Sequence, residues 1–355
     1  MGKSRKYSEE VGHSSISNGV KKQRKKVNKN GGAEEDQHGL PTVSIAVAGS
    51  IIDNTQSFEL ATRLAGQIAR AATIFRIDEV IVFENNPSSE NNEAADDESG
   101  AMFLIKLLRY LETPQYLRKA LFPMSNSLKF VGLLPPLDAP HHLRKHEWGA
   151  FREGVTLKGE APNRSGTLVD VGLSKNVVVK EAFESGTRVT VAMGVTRNLD
   201  DGNFMCTKIS HYSRFVDSPR QVVSPAKPRE ESGTYWGYRV RHASNMSSAI
   251  GDSPFKGGYD LKIGTSEHGD KICSSKLSLP RFRHLLIAFG GLAGLEESIE
   301  EDLMFRGKNA KQVFDSYINT CPRQGSRTIR TEEALFISLQ YFEGPIDRAI
   351  GKAQA

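Results

Sequence analysis

The sequence is poor in cysteine and has no long apolar run. Its three cysteines, Cys206, Cys273 and Cys321, are odd in number and far apart. With no C-x-x-C pair they suggest neither a disulfide framework nor a zinc site, and they fit a reducing compartment. No metal is expected. No stretch of about 18 apolar residues occurs, so no membrane-spanning helix is expected. The start is polar and lysine-rich, unlike a secretory signal. Two phosphate-binding patterns are also missing. There is no Walker A lysine motif, and the first strand is followed by "AGSIIDN" (Ala48–Asn54) where a dinucleotide fold needs G-x-G-x-x-G. The cluster Gly290-Gly291-x-x-Gly294 comes late in the chain and has different spacing. The P-loop and dinucleotide readings are both disfavoured.

What is present suits a globular protein: 355 residues, 38% hydrophobic and 8% aromatic, enough for a large domain and a small one. Charge is unevenly spread. The first thirty residues hold nine Lys/Arg against Glu9 and Glu10, a net +7, so a total of +5 leaves −2 for the rest. The basic character belongs to an N-terminal tail, residues 1–39, read as disordered. Its run "KKQRKK" (Lys21–Lys26) suits a nuclear or nucleolar address or a phosphate-binding arm, and a plain solvated tail fits equally.

Order is expected from Leu40-Pro41. "TVSIAVAG" (Thr42–Gly49) and "DEVIVF" (Asp78–Phe83) read as buried strands. The helix between them carries Leu60, Leu64, Ile68 and Phe75 at helical spacing. Strand, helix, strand predicts a parallel α/β unit. The segment 84–100 is acidic and reads as a loop, followed by helices through Met102–Leu111 and "PQYLRKALF". From Phe151 short β runs punctuated by glycine predict a small barrel over 149–216. "DSPRQVVSPAKPREESG", within 217–233, reads as a linker. The α/β texture then resumes, giving one discontinuous domain, 40–148 and 234–350, with the barrel inserted.

Three segments of the second half place small and polar residues after a hydrophobic strand. They are Gly264-Thr265-Ser266 after a strand ending at Ile263, Gly290-Gly291 after Leu285–Phe289, and Asn319-Thr320 with Gly325-Ser326 after Tyr317-Ile318. Open parallel sheets bind ligands outside the carboxyl ends of their strands. Each segment alone reads as a turn; three together point to one ligand site.

"LLIAFGG", "INTCPRQGSRTIRTEEALFISL" and "DLKIGTSEHG" resemble the knot-forming end of SPOUT-class RNA methyltransferases. "GSIIDNTQSFELATRLAGQIARAATIFRIDEVIVFE", "GLLPPLDAPHHLR", "FREGV" and "YWGYRVR" are similar to the eukaryotic and archaeal branch with an inserted OB-like barrel. The resemblance spans about residues 40–345. It implies a C-terminal deep trefoil knot, S-adenosylmethionine as cofactor, RNA as substrate and a homodimer. It implies a cofactor pocket of Thr265, Ser266, Gly290, Gly291, Leu292, Asn319, Thr320, Gly325, Ser326 and Ile329. Leu335 and Leu339 suit either the dimer face or the core.

Transfer to a protonated ring nitrogen needs a base or a charge-stabilising donor. Candidates are Arg330, Arg144 and Arg63, with Glu332 and the Asp53-Asn54 pair. His141-His142 could meet phosphate. A barrel face for single strands would draw on Arg152, Lys158, Arg164, Lys175, Lys180, Arg188, Lys208 and Arg214 with Phe151, Phe204 and Tyr212. Thr331 reads as a helix cap, with Glu332-Glu333 favoured at the positive helix end. Methylation of a ribosomal RNA uridine base is the leading expectation, with ribose as the other acceptor. A non-catalytic RNA-binding scaffold, for example at the mitotic spindle, is the alternative.

Overall fold

The computed structural model describes residues 39–84, 99–160, 166–194 and 220–351. The N-terminal tail, the acidic segment and the run "FMCTKIS" therefore lie outside the described residues. The strands are β1 (Thr42–Ala48), β2 (Glu79–Phe83), β3 (Phe151–Glu160), β4 (Thr167–Asp170), β5 (Val177–Val179), β6 (Arg188–Ala192), β7 (Gln221–Val223), β8 (Arg239–Ala243), β9 (Leu261–Asp270), β10 (His284–Phe289) and β11 (Ser316–Ile318). The helices are α1 (Phe58–Ile74), α2 (Gly100–Glu112), α3 (Gln115–Leu121), α4 (Lys227–Ser232), α5 (Met246–Gly251), α6 (Gly294–Glu301), α7 (Ala310–Val313) and α8 (Thr331–Gly351).

A six-stranded sheet runs in the order β11-β9-β10-β1-β2-β8, and every pairing in it is parallel. β1, β2 and β10 are buried almost throughout, as unbroken apolar runs covered on both faces must be. α1 starts at Ser57, whose hydroxyl accepts the Leu60 N–H. It buries a face of small residues, Ala61, Ala65, Gly66, Ala69 and Ala72, around Ile68. Leu60 is exposed instead, because it lies off that alanine stripe. The periodicity was right for the helix and wrong for this side chain. α8 packs on α1, and Leu335 and Leu339 are buried in the core of this one chain. That decides between the two places open to them.

The inserted region is a five-stranded sheet, β5-β4-β3-β6-β7, with antiparallel pairings. A single parallel bridge between Val179 and Arg220 joins its two outer strands. It has its own core of Val169, Val171, Val177, Val179, Val189, Val191 and Met193. Strand β7 and helix α4 both fall inside 217–233, the segment read as a linker. The three-residue β7 pairs with β6 through Thr190↔Val223, a contact that local pattern cannot reveal. α4 has Pro228 at its start and Gly233 at φ 64° after its end, so both residues read as breakers are helix punctuation.

The two sheets are locked together by a charged joint. Arg188 on β6 bonds Glu112 at the end of α2 (2.5 and 3.0 Å) and Glu153 on β3 (2.6 Å). Trp236 Nε1 and Thr190 Oγ1 also donate to Glu153. His141 and His142 both donate Nε2–H to the Glu112 carbonyl, at 2.9 and 2.7 Å. Arg152, 1% exposed, donates to the carbonyls of Val171, Glu147, Leu143 and Arg144 and stacks over Tyr116. Arg152, Arg188, His141 and His142 are therefore structural, and Phe151 is buried against Trp236. The joint withdraws them from any RNA-facing set. Of the rest, Lys158 and Lys180 are exposed and Lys175 is half-buried. Arg164, Phe204, Lys208, Tyr212 and Arg214 lie outside the described residues.

Candidate functional site

A pocket of about 270 Å³ opens at the carboxyl ends of β9, β10 and β11. Its shape begins with β9, which runs on past Ile263, where the polar run was expected to end it. β9 pairs with β10 up to Thr265↔Phe289. On its other side the register jumps, from Tyr317↔Gly264 to Ile318↔Asp270. Residues 265–269 thus bow away from the ladder and into the pocket. Gly269 permits the return, since a Cβ there would overlap the Ile318 and Asn319 backbone.

The other walls are tied to this one through side chains. Asn319, buried, donates Nδ2–H to the Glu267 carbonyl (2.8 Å) and accepts the Cys321 N–H (2.9 Å). The hydroxyls of Thr320 and Ser338 meet at 2.7 Å, fastening the loop after β11 to α8. Thr331 donates its hydroxyl to the Gly290 carbonyl (3.0 Å), fastening α8 to the loop after β10. Thr331 is therefore a tether and not a cap. The cap position is Arg330, whose N–H is accepted by Glu333 while its carbonyl takes the Glu333 and Ala334 N–H groups. The β10 loop is tight: a Cβ on Gly290 would overlap the backbone of Gly294 and Leu295, and Gly294 has φ +84°.

Eight of the ten expected cofactor residues line the pocket: Thr265, Ser266, Gly290, Gly291, Leu292, Asn319, Thr320 and Ile329. Leu292 is 81% exposed and forms the rim. Gly325 and Ser326 are exposed and are not in the lining. Gln324 donates its Nε2–H groups to the Ser326 and Arg327 carbonyls, and the Ser326 hydroxyl donates to the Thr328 carbonyl, so that bend closes on itself. Thr265 donates its hydroxyl to the Ala288 carbonyl (2.9 Å), which ties β9 to β10 at the pocket.

The pocket also holds residues that sequence reasoning missed, above all Glu296 in the first turn of α6. Its Oε1 accepts from Ser266 Oγ (2.9 Å) and from the Tyr317 hydroxyl (2.5 Å). Burial first, and the Glu296 carboxylate next, push the Tyr317 hydroxyl well above its usual range, so it remains a donor. An E-E pair in "GLEES" reads as an ordinary helix start, and no local signal marks it.

None of Arg63, Arg144 and Arg330 lines the pocket. Arg63 and Arg144 are solvated, paired with Glu59 (2.7 Å) and Glu147 (3.9 Å). Arg330 is exposed between two lining residues, Ile329 and Thr331. Glu332 is buried in α8. Asp53 packs against Gly100 at the start of α2, and its carboxyl is raised by burial, which outweighs the Gly100 N–H. Asn54 donates to the Ser50 carbonyl. A larger cavity of about 730 Å³ lies between the inserted sheet and the amino ends of the parallel strands. The charges at its heart, Glu112, Glu153 and Arg188, already satisfy one another, so it is a joint between sheets.

The family model described as "Putative RNA methyltransferase" matches residues 42–342. A human protein named 28S rRNA (uridine-N(3))-methyltransferase is 45% identical over 314 residues, covering 86% of this chain and 79% of that protein. Its mouse namesake is 43% identical over 316 residues, covering 86% and 77%. A Drosophila melanogaster protein of the same name is 42% identical over 318 residues, covering 86% and 62%. With a match across both halves of the parallel sheet and the inserted sheet between them, the chain belongs to this family of RNA methyltransferases.

Proposed function

We propose that this protein is an S-adenosylmethionine-dependent methyltransferase of the SPOUT class that methylates a uridine base, at N3, in large-subunit ribosomal RNA. The observation that carries the reading is the pocket built by three strand-end loops, in a chain 45% identical to a 28S rRNA (uridine-N(3))-methyltransferase. The lining fits the cofactor chemically. It offers main-chain groups of the glycine loops, Asn319 and Thr320, and a carboxylate, Glu296, with no lysine or arginine beside it.

When bound, S-adenosylmethionine supplies an activated methyl carbon. The chain's own residues do the positioning. Gly290 and Gly294 bring the β10 loop close, the Thr331 and Ser338 tethers hold the walls together, and the apolar Phe289, Leu292, Ile329 and Ala334 exclude water. Arg330, at the pocket edge, supplies a cation for RNA phosphate or for charge developing on the uracil ring.

A trefoil knot is supported by the strand order. After β10 the chain crosses β9 to lay down β11 at the far edge, then returns to Gly290 through Thr331. The OB-like reading is supported by the five strands and the bridge joining their outer edges. A homodimer and a nuclear address through Lys21–Lys26 complete the proposal. Calorimetry with S-adenosylhomocysteine tests the pocket, and absence of binding refutes it. Mass spectrometry of ribosomal RNA nucleosides from cells lacking the protein tests the reaction; unchanged 3-methyluridine rejects it in favour of a scaffold.

A further inference from the structure

Glu296 is a carboxylate with donors but no countercharge. It is half-buried, both hydrogen bonds fall on Oε1, and among the described residues Oε2 accepts none. The pocket lining includes Glu267, Glu296 and His268 but neither lysine nor arginine. Two donors, Ser266 and Tyr317, hold the carboxylate in one orientation. An oriented negative charge in a small pocket attracts a positive ligand more strongly than it would in open water.

We infer that Glu296 supplies the negative charge that balances the sulfonium of the methyl donor, so that the pocket distinguishes donor from by-product by charge. This rests on the proposed function. S-adenosylmethionine carries one positive charge more than S-adenosylhomocysteine, because the sulfur loses its charge when the methyl group leaves. The hold exerted through Glu296 is therefore strongest before transfer and relaxes after it, which favours exchange of the spent cofactor. Ser266 and Tyr317 act through Glu296 as positioning residues.

The test is calorimetry with S-adenosylmethionine and S-adenosylhomocysteine on the full chain and three variants. Glu296→Gln lowers affinity for the donor about tenfold and for the by-product about twofold or less. Glu297→Gln removes the same charge from the next residue of α6, which is exposed and outside the pocket lining, and leaves both affinities unchanged. Glu296→Asp keeps the charge and retains the preference for the donor, including where Glu296→Gln folds poorly by thermal unfolding. Equal losses for both ligands, no loss in Glu296→Gln, an equal effect from Glu297→Gln, or loss of preference in Glu296→Asp overturns the inference while the function stands. A wild-type protein that binds neither ligand overturns the proposed function and this inference with it.

Discussion

Arginine is the residue whose role here depends most on its neighbours. Arg63 and Arg144 are solvated members of i,i+4 and i,i+3 pairs, and such pairs contribute at most about 1 kcal/mol. Arg63→Ala and Arg144→Ala are expected to move stability by under about 0.5 kcal/mol and to leave S-adenosylhomocysteine affinity unchanged, as read by urea unfolding and calorimetry. Arg330 differs because its neighbours on both sides line the pocket. Arg330→Ala should lower methyl transfer by about tenfold or more while cofactor affinity and melting temperature hold. A fold that is lost instead would make Arg330 structural. Gly290 has the opposite constraint, since it needs the absence of a side chain. Gly290→Ala drives a methyl group into the Gly294–Leu295 backbone, at a cost of about 1–3 kcal/mol, and should abolish cofactor binding.

Among the elements, the joint between α2, β3 and β6 is where charge is buried. Arg188 is shared by Glu112 and Glu153, and removing it leaves two buried carboxylates short of a partner. Arg188→Ala is expected to cost about 3–5 kcal/mol in urea unfolding. The same joint makes the fold acid-sensitive. Burial alone would raise the Glu112 carboxyl, but Arg188 and His141 overcome it and bring it down to about 2. Its stabilisation is present above the unfolded carboxyl range and is lost as pH falls toward 2. Burial, and then His141, push His142 down to about 4, so unfolding takes up a proton there between about 6.5 and 4. Both effects have the same sign. The melting temperature should fall as pH drops below about 6.5, and His142→Gln should flatten the upper part of that fall. This joint was hidden in the sequence because Glu112 and Arg188 lie 76 residues apart. Arg188, in "TRVTVAMG", looks like any surface arginine on a strand. The strands beside it were legible because alternation and β-branching are local properties. Strand β7 was not, since three residues inside a proline-rich stretch carry too little pattern to stand out.

At the scale of the molecule, a ligand that bridges the loops after β9, β10 and β11 ties the carboxyl ends of three strands together. Saturation with S-adenosylhomocysteine at about 100 times Kd should stabilise the fold by about 2.7 kcal/mol, seen as a raised melting temperature. The sequence by itself determined the layers. Apolar runs in β1, β2 and β10 demand burial on both faces, and that demand implies a parallel sheet covered by helices. It also determined that glycines after β10 would let loops crowd together, because a missing side chain is a local fact. Only the tertiary structure decided which charges are spent and which remain available. Arg152, Arg188, His141 and His142 are used up inside the joint, whereas Glu296 keeps one oxygen free at the pocket. It also settled that Thr331 tethers Gly290 and that Leu335 belongs to the core. The reason is physical. Backbone preference and hydrophobic period act between near neighbours, whereas the partner and burial of a charged group depend on residues brought together only when the chain is folded.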